Sequence, residues 1–329
     1  MDILLFSSVC LLFVTVISYL GNLNALFDLI SHFRVHFLLA AGGIAPFAFI
    51  HPNKIVIALI AVSAIINSLE VLPWYIKPKS KKSRKKSISI TSINVQFNNH
   101  NAKALIDFVL KQNPDILLLQ ELNEKWIKAL SPLKKLYPYQ FIEDPGNQFG
   151  IGILSKFEIK NKEIITEKEF NTPLLASDIK IDGKIIKIIT IHPVPPFDTP
   201  MLKSRNRVFK SVAEIAQAGI YPVVVCGDFN VTMWASAYKK LIKDSGLKNS
   251  RKGYGVKGTW PFGKANHKSF QPRERKKITD LIPSFLVHKH PIKLPIDHIL
   301  VSPMIMVKNM NVGPSIGSDH LPIMAELQI

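Results

Sequence analysis

The chain has 329 residues, 47% of them hydrophobic and 20% charged, and a formal net charge of +18. That length and apolar content exclude a disordered chain and leave room for a full catalytic domain and more. Two cysteines, Cys10 and Cys226, exclude a disulfide scaffold and a cysteine zinc site.

Residues 3–20 and 35–50 carry no charged side chain, and 55–76 carry only Glu70. A membrane span takes about 20 apolar residues, range 17–25. The first and third runs qualify. The middle run is shorter and holds Gly42, Gly43 and Pro46, but a turn at Pro52-Asn53 joins it to the third as a helical hairpin. Three transmembrane helices are expected; the alternatives are two spans with a re-entrant second run, or a buried soluble helical domain. Trp74 and Tyr75 fit an interfacial belt, and no basic stretch or small-residue cleavage site makes the first run a signal peptide. In residues 77–87, seven of eleven are Lys or Arg and none is acidic. This is a linker suited to an anionic membrane surface, and by the positive-inside rule it puts the following domain on the cytoplasmic side. The composition break divides the chain into a transmembrane region (1–76), a basic linker (77–87) and a folded domain (88–329), with 1–76 expected to be separable.

From residue 88 the pattern changes. Short β-branched runs at 88–95, 116–119, 151–154, 185–192, 223–226 and 296–301 alternate with helical stretches at 102–111, 207–218 and 235–244. This predicts an α/β domain of single-domain size. It holds 33 basic and 21 acidic residues. That balance favours a phosphate ester, a nucleic acid or an anionic membrane as partner, the alternative being a solvated lysine-rich surface.

Polar residues stand where these runs stop: Asn94, Glu121, His192, Asp228 with Asn230, Asp297, and Asp319-His320. One such acid is ordinarily a turn or helix cap. A series of them in order suits oxygen ligation of a hard cation such as Mg²⁺, and histidines among carboxylates suit phosphoryl chemistry.

The motifs Ile93-Asn94, Leu119-Gln120-Glu121, Thr190-Ile191-His192-Pro193, Gly227-Asp228-Phe229-Asn230, Ile296-Asp297 and Ser318-Asp319-His320 resemble, in order and spacing, those of the endonuclease/exonuclease/phosphatase superfamily. The resemblance covers roughly 88–329. It implies a four-layer α/β/β/α sandwich of two mixed β-sheets, here preceded by about three transmembrane helices. It further implies Mg²⁺, with Mn²⁺ as substitute, held by Glu121 with Asn94 and Asp319. Asp228 would orient or deprotonate water, Asn230 would position it or contact phosphate, and His192 would contact phosphate. Asp297 would pair with His320. Asn94, His192, Asn230 and Arg205 are the substrate-binding candidates. Pro193–Pro196 followed by Arg205-Asn206-Arg207 is similar to membrane-attached bacterial members, a resemblance that implies a bacterial inner membrane and an Arg205 that either reaches phosphate or caps packing.

Gln96 stands where some family nucleases have an acid, which argues for one metal ion rather than two. His298, next to Asp297 in a strand, is expected on the opposite face. The stretch 264–294, with Arg273 to Lys277, is either a substrate-contacting loop or an exposed insertion. The function implied is a membrane-anchored, Mg²⁺-dependent phosphoesterase, nuclease-like in hydrolysing phosphodiester bonds by metal-assisted water attack. The alternatives are a phospholipid or sphingomyelin-type head group as substrate, or an inactive binder of anions.

Overall fold

The computed structural model describes residues 3–50, 52–77, 87–261 and 293–329. The stretch containing Arg273 to Lys277, His267, His288 and His290 lies outside them, as does most of the basic linker. In the second part of the chain, β1 (Ser87–Asn94) pairs in parallel with β2 (Ile116–Leu122). Around them β3 (Tyr139–Glu143), β4 (Gly150–Ser155), β11 (Met306–Val312) and β12 (Ile323–Gln328) complete a mixed sheet in the order β11-β12-β1-β2-β4-β3. The second sheet runs β5-β6-β7-β8-β10-β9. It is built from β5 (Ile159–Glu167), β6 (Thr172–Ile181), β7 (Lys184–Ile191), β8 (Val223–Asp228), β9 (Lys248–Asn249) and β10 (Asp297–Val301), with β7 and β8 parallel.

Alternation explains how the sheets stack. Ile116 and Leu118 face Ile188, Val224 and Ile299 in the core between the sheets. Leu117 and Leu119 point the other way, onto α5 (Ala102–Gln112) and α6 (Glu124–Ala129). The far face of the second sheet carries Val223 and Val225 against α7 (Thr199–Ala218) and α8 (Ser236–Ser245). A strand buried on both faces reads as a continuous apolar run, which is why 116–119 and 223–226 stand out in the sequence. The result is the four-layer α/β/β/α sandwich expected. Helix α7 starts eight residues before the periodic stretch at 207, because Asp198 caps it, accepting from the Met201 N–H at 2.9 Å, and Pro200 fits its first turn.

The first part of the chain forms α1 (Ile3–Ile17), α2 (Ala25–Ser31), α3 (Arg34–Ile50) and α4 (Lys54–Val71). Among the described residues, Ile3–Leu20 and Lys54–Trp74 are long and apolar enough to cross a membrane. The pair α2 and α3, bent by 63°, makes a third candidate. Phe6, Phe13, Phe47, Phe49, Ile55, Ile65 and Leu69 are each more than half exposed on this bundle, an apolar surface compatible with a membrane. Inside it, Leu11, Ala41, Ala48, Val56 and Ile60 pack together. The Asn67 amide donates to Thr15 Oγ1 (2.9 Å), and Arg34 donates to Asn67 Oδ1 (3.2 Å) and lies over the Tyr19 ring.

The bundle docks on the α7/α8 layer. Asp28 and Arg205, both fully buried, form a two-pronged ion pair at 2.6 and 3.0 Å. Lys239 and the Trp234 indole reach the Glu70 carboxylate (2.6 Å) and carbonyl (3.1 Å). The Trp74 carbonyl accepts from the N–H groups of Gly253 and Gly255, and Val71 joins the core cluster beneath α7 and α8.

Candidate active site

Each functional side chain sits where a strand ends. Asn94 closes β1, Glu121 sits near the end of β2, His192 follows β7, Asp228 closes β8 and Asp297 opens β10. The pairing of β2 with β4 shifts register between Gln120 and Leu122, and Glu121 at that bulge has φ +64°. A bulge re-aims one side chain without disturbing its neighbours. It requires Gly150 opposite, where a Cβ would stand 2.1 Å from the Leu122 carbonyl oxygen. Gly227, with φ +152°, precedes Asp228, and a Cβ there would lie 2.0 Å from the Ile191 carbonyl oxygen. Glycine is the residue that tolerates both demands.

Asn94 Nδ2 donates to Glu121 Oε1 (2.8 Å) and Asp228 Oδ2 (3.2 Å), linking the two sheets. Glu121 Oε2 accepts the Phe97 N–H at 2.6 Å. Asp228 Oδ2 faces the Nε2 atoms of His192 and His320, each at 3.5 Å, while its Oδ1 accepts the Asn230 N–H at 2.9 Å. His320 Nδ1 lies 2.9 Å from Asp297 Oδ2. Asn230 Nδ2 donates to the Pro193 carbonyl (2.9 Å). Asp319 Oδ2 accepts from the Trp260 indole at 3.3 Å, while its Oδ1 is buried without a partner.

Every candidate picked from the sequence is thus in this cluster except Arg205, whose buried guanidinium is taken by Asp28 and Asn206. Three contributors were given no role by sequence reasoning. Thr259 donates to the Asp297 carboxylate, buried Arg251 donates to the Asp297 carbonyl (2.6 Å), and Ser318 bridges the Asn94 carbonyl (2.7 Å) and the His320 N–H (3.0 Å). Ser318 is part of the Ser318-Asp319-His320 motif; Thr259 and Arg251 belong to none of the quoted motifs.

Burial pushes the Asp228 carboxyl up, but His320 and His192 outweigh it and bring it down to about 2. Burial also works against a charged His320, yet Asp297 and Asp228 hold it well above its ordinary value. His192 ends raised in the same way, burial being overcome by Asp228 and Glu121. Burial pushes Asp297 up despite His320. Glu121 is raised by burial and by the negative charge of Asp319, with His192 opposing. Asp228 is therefore an ionised acceptor held between two imidazoles.

Asp228, Asp297 and His320 offer ligand atoms within 4.8 Å of one another. Those atoms already satisfy each other, the imidazole lying between the two carboxylates. Asp319 Oδ1, buried without a partner, is an oxygen left over for a cation, and the Asp319 charge helps raise Glu121. Four carboxylates gather here against two imidazoles and the Arg251 guanidinium, a setting to which a divalent ion would add positive charge.

His298 faces away from this cluster, as its strand position requires. Its Nε2 donates to the Val231 carbonyl (2.8 Å) and its Nδ1 accepts from Asn249 (3.0 Å). Burial, helped by Arg251, pushes it down from 6.5 to about 3. The unfolded chain therefore takes up a proton below pH 6.5 that the folded chain refuses. Stability from this group is present above 6.5 and is lost as pH falls toward 3, by up to about 1.4 kcal/mol per unit. His298→Gln is expected to lower the melting temperature at pH 7 but to flatten this acid slope. Melts from pH 7 to pH 4 check it, and an unchanged slope would remove His298 as the source.

Two facing mixed sheets with a carboxylate–imidazole centre at their strand ends define a phosphate-ester hydrolase. The pattern of the Endonuclease/Exonuclease/phosphatase family matches residues 91–320, more than half of the chain, and the protein belongs to that family. No curated protein matches the sequence. Among solved structures, the chain is similar to D. rerio TDP2 complexed with a single-strand DNA product, at 17% identity and TM-score 0.55, covering 74% of this chain and 100% of that one. It is similar to truncated Caenorhabditis elegans TDP2 at 20% identity and TM-score 0.54, covering 74% and 98%. A mannosyl-6-phosphatase of Bacteroides thetaiotaomicron matches at 19% identity and TM-score 0.52, covering 74% and 100%. These likenesses concern the fold; the family match makes the chain a phosphoesterase.

Proposed function

We propose that the protein is a membrane-anchored, Mg²⁺-dependent phosphodiesterase. The observation that carries this reading is the Asp228 carboxylate, kept ionised between His192 and His320 and tied through Asn94 to Glu121. Glu121 and Asp319, with Asn94 beside them, would hold the ion. Bound there, Mg²⁺ or Mn²⁺ supplies charge neutralisation and Lewis acidity to the phosphate. Asp228 Oδ2 accepts a hydrogen bond from water and aims its oxygen at phosphorus, taking up its proton as attack proceeds. Asp297 fixes the His320 ring and favours its protonated state, so that His320 Nε2 faces the reacting centre as a donor. His192 stabilises charge on the phosphate and gives a proton to the departing oxygen. Asn230, tied to Asp228 and Pro193, fixes the rim of the site.

Anchoring rests on the apolar belt of the bundle. Tyr19 beyond α1 and Glu70 near the end of α4 bond to Ser236 and Lys239 of the domain, so three crossings would put the domain on the side opposite Ile3, and the basic linker favours the cytoplasm. Nucleic acid suits the basic surface; the belt favours a second reading, a phospholipid or sphingomyelin head group, because it would hold the site close to a bilayer. Hydrolysis of DNA, RNA, phosphoinositide and sphingomyelin at one salt concentration separates these readings. Hydrolysis of a bis-aryl phosphodiester with and without Mg²⁺ tests the reaction itself.

Glu121→Gln keeps the shape and an oxygen for the Phe97 N–H, but removes a full charge and turns an NH₂ toward Asn94 Nδ2. It is expected to cut turnover strongly and to raise the Mg²⁺ concentration for half-maximal activity by about tenfold or more. An unchanged Mg²⁺ titration would take Glu121 out of the ion site.

A further inference from the structure

The loop after the Asp228 strand, residues 229–235, is pinned from two sides. From the sheet, the Phe229 N–H donates to the Ile296 carbonyl (3.0 Å) and His298 Nε2 donates to the Val231 carbonyl (2.8 Å). From the helical bundle, His32 Nδ1 lies 3.1 Å from Thr232 Oγ1 and accepts the Thr232 N–H at 3.4 Å, while the Trp234 indole donates to the Glu70 carbonyl. His32, Thr232 and Trp234 are all buried.

Asn230 stands between these pins in a left-handed conformation, φ +50°. A non-glycine residue keeps such a conformation when its surroundings over-determine it. Its backbone N–H bonds to Asp228 and its side chain to Pro193, so a shift of this loop displaces both the Asp228 carboxylate and the rim of the site. His32 is itself fixed. It occupies the corner between α2 and α3, with Nε2 3.8 Å from Asp28 Oδ2, and Asp28 is locked to Arg205 of α7. Helix α7 begins shortly after Pro193. The bundle therefore braces both segments that Asn230 joins.

We propose that His32 is a positioning residue of the active site, with Asp28 behind it: by holding Thr232 it keeps Asn230 and Asp228 in the geometry that aims water at phosphorus. The inference rests on the phosphoesterase reading of Asp228. It makes the N-terminal bundle a support of the active site and not only a tether, acting through Thr232.

The test uses the full chain in detergent, with Mg²⁺ and a bis-aryl phosphodiester. His32→Phe fills the space but offers no acceptor. Misplacement of about 1 Å costs up to about 10²-fold in rate, so kcat is expected to fall at least about tenfold. KM is expected to change by less than about twofold. His32→Asn, whose Oδ1 takes the place of Nδ1, restores most of the rate. Thr232→Val behaves like His32→Phe, and the double variant is no worse than the poorer single one. Hydrogen exchange gives a reading independent of catalysis: amides 229–234 exchange faster in His32→Phe, while β2 and β8 keep their protection. A normal kcat in His32→Phe, or an equal loss in His32→Asn, overturns the proposal. So does unchanged exchange at 229–234, and that result stands even if the unaltered chain hydrolyses no phosphate ester, which would defeat the functional reading separately.

Discussion

Asp228→Asn is expected to lower kcat by about 10²–10⁴-fold while KM changes little. The substitution keeps the size of the side chain and an oxygen to accept the Asn230 N–H. It removes the charge that both imidazoles face and puts an NH₂ group opposite Asn94 Nδ2, donor against donor. Water then loses its acceptor, and the proton affinity of His192 and His320 falls with the loss of their shared partner. His320→Ala is expected to fall in the same range. The double variant should lose less than the product of the two, because both groups serve one transition state. Were Asp228 only a turn cap and His320 only packing, these variants would melt earlier but turn over normally per folded molecule. Measuring kcat per folded molecule together with the melting temperature separates the two roles, and near-normal kcat in folded Asp228→Asn ends the catalytic assignment.

The largest expected effect on stability lies away from the site. Asp28→Leu is expected to cost about 3–5 kcal/mol, because it leaves the Arg205 guanidinium buried with no opposite charge. Its other partners, the Asn206 side chain and the Phe209 ring, carry no charge. Replacing both members, Asp28→Leu with Arg205→Met, removes the uncompensated charge and should recover most of the loss. Thermal unfolding of the full chain in detergent reads the cycle. If Asp28→Leu melts like the unaltered protein, the pair does not hold α2 on α7. Deleting residues 1–76 strips Arg205 of the same partner and uncovers the surface under Val71 and Trp74. Separability of the domain, which the composition break suggests, therefore carries that cost.

The reacting centre was legible because its residues interrupt strong patterns. Glu121, His192 and Asp228 each end an apolar β run, and a charged or imidazole side chain there has no packing reason to exist. Strand β6 was not legible: Thr172, Pro173, Ser177 and Asp178 break its apolar run, yet the tertiary structure buries nearly all of it, with Lys187 paired to Asp178 at 2.7 Å. Arg205 is a substrate-binding candidate through the resemblance to membrane-attached members, with packing as its alternative role. Its true neighbour, Asp28, lies 177 positions away in a short helix between apolar runs, and nothing local couples them.

Period and composition act over a few residues, so the sequence by itself determined the α/β alternation and the most apolar strands, the division into an apolar and a basic part, and the residues whose polarity opposes their surroundings. Only the tertiary structure decided which polar groups share a proton, which cation is taken by which acid, and that the helices brace the loop behind Asp228. Those facts depend on distances between segments remote in the chain, and a side chain's chemistry is set by what packing brings within a few ångströms of it.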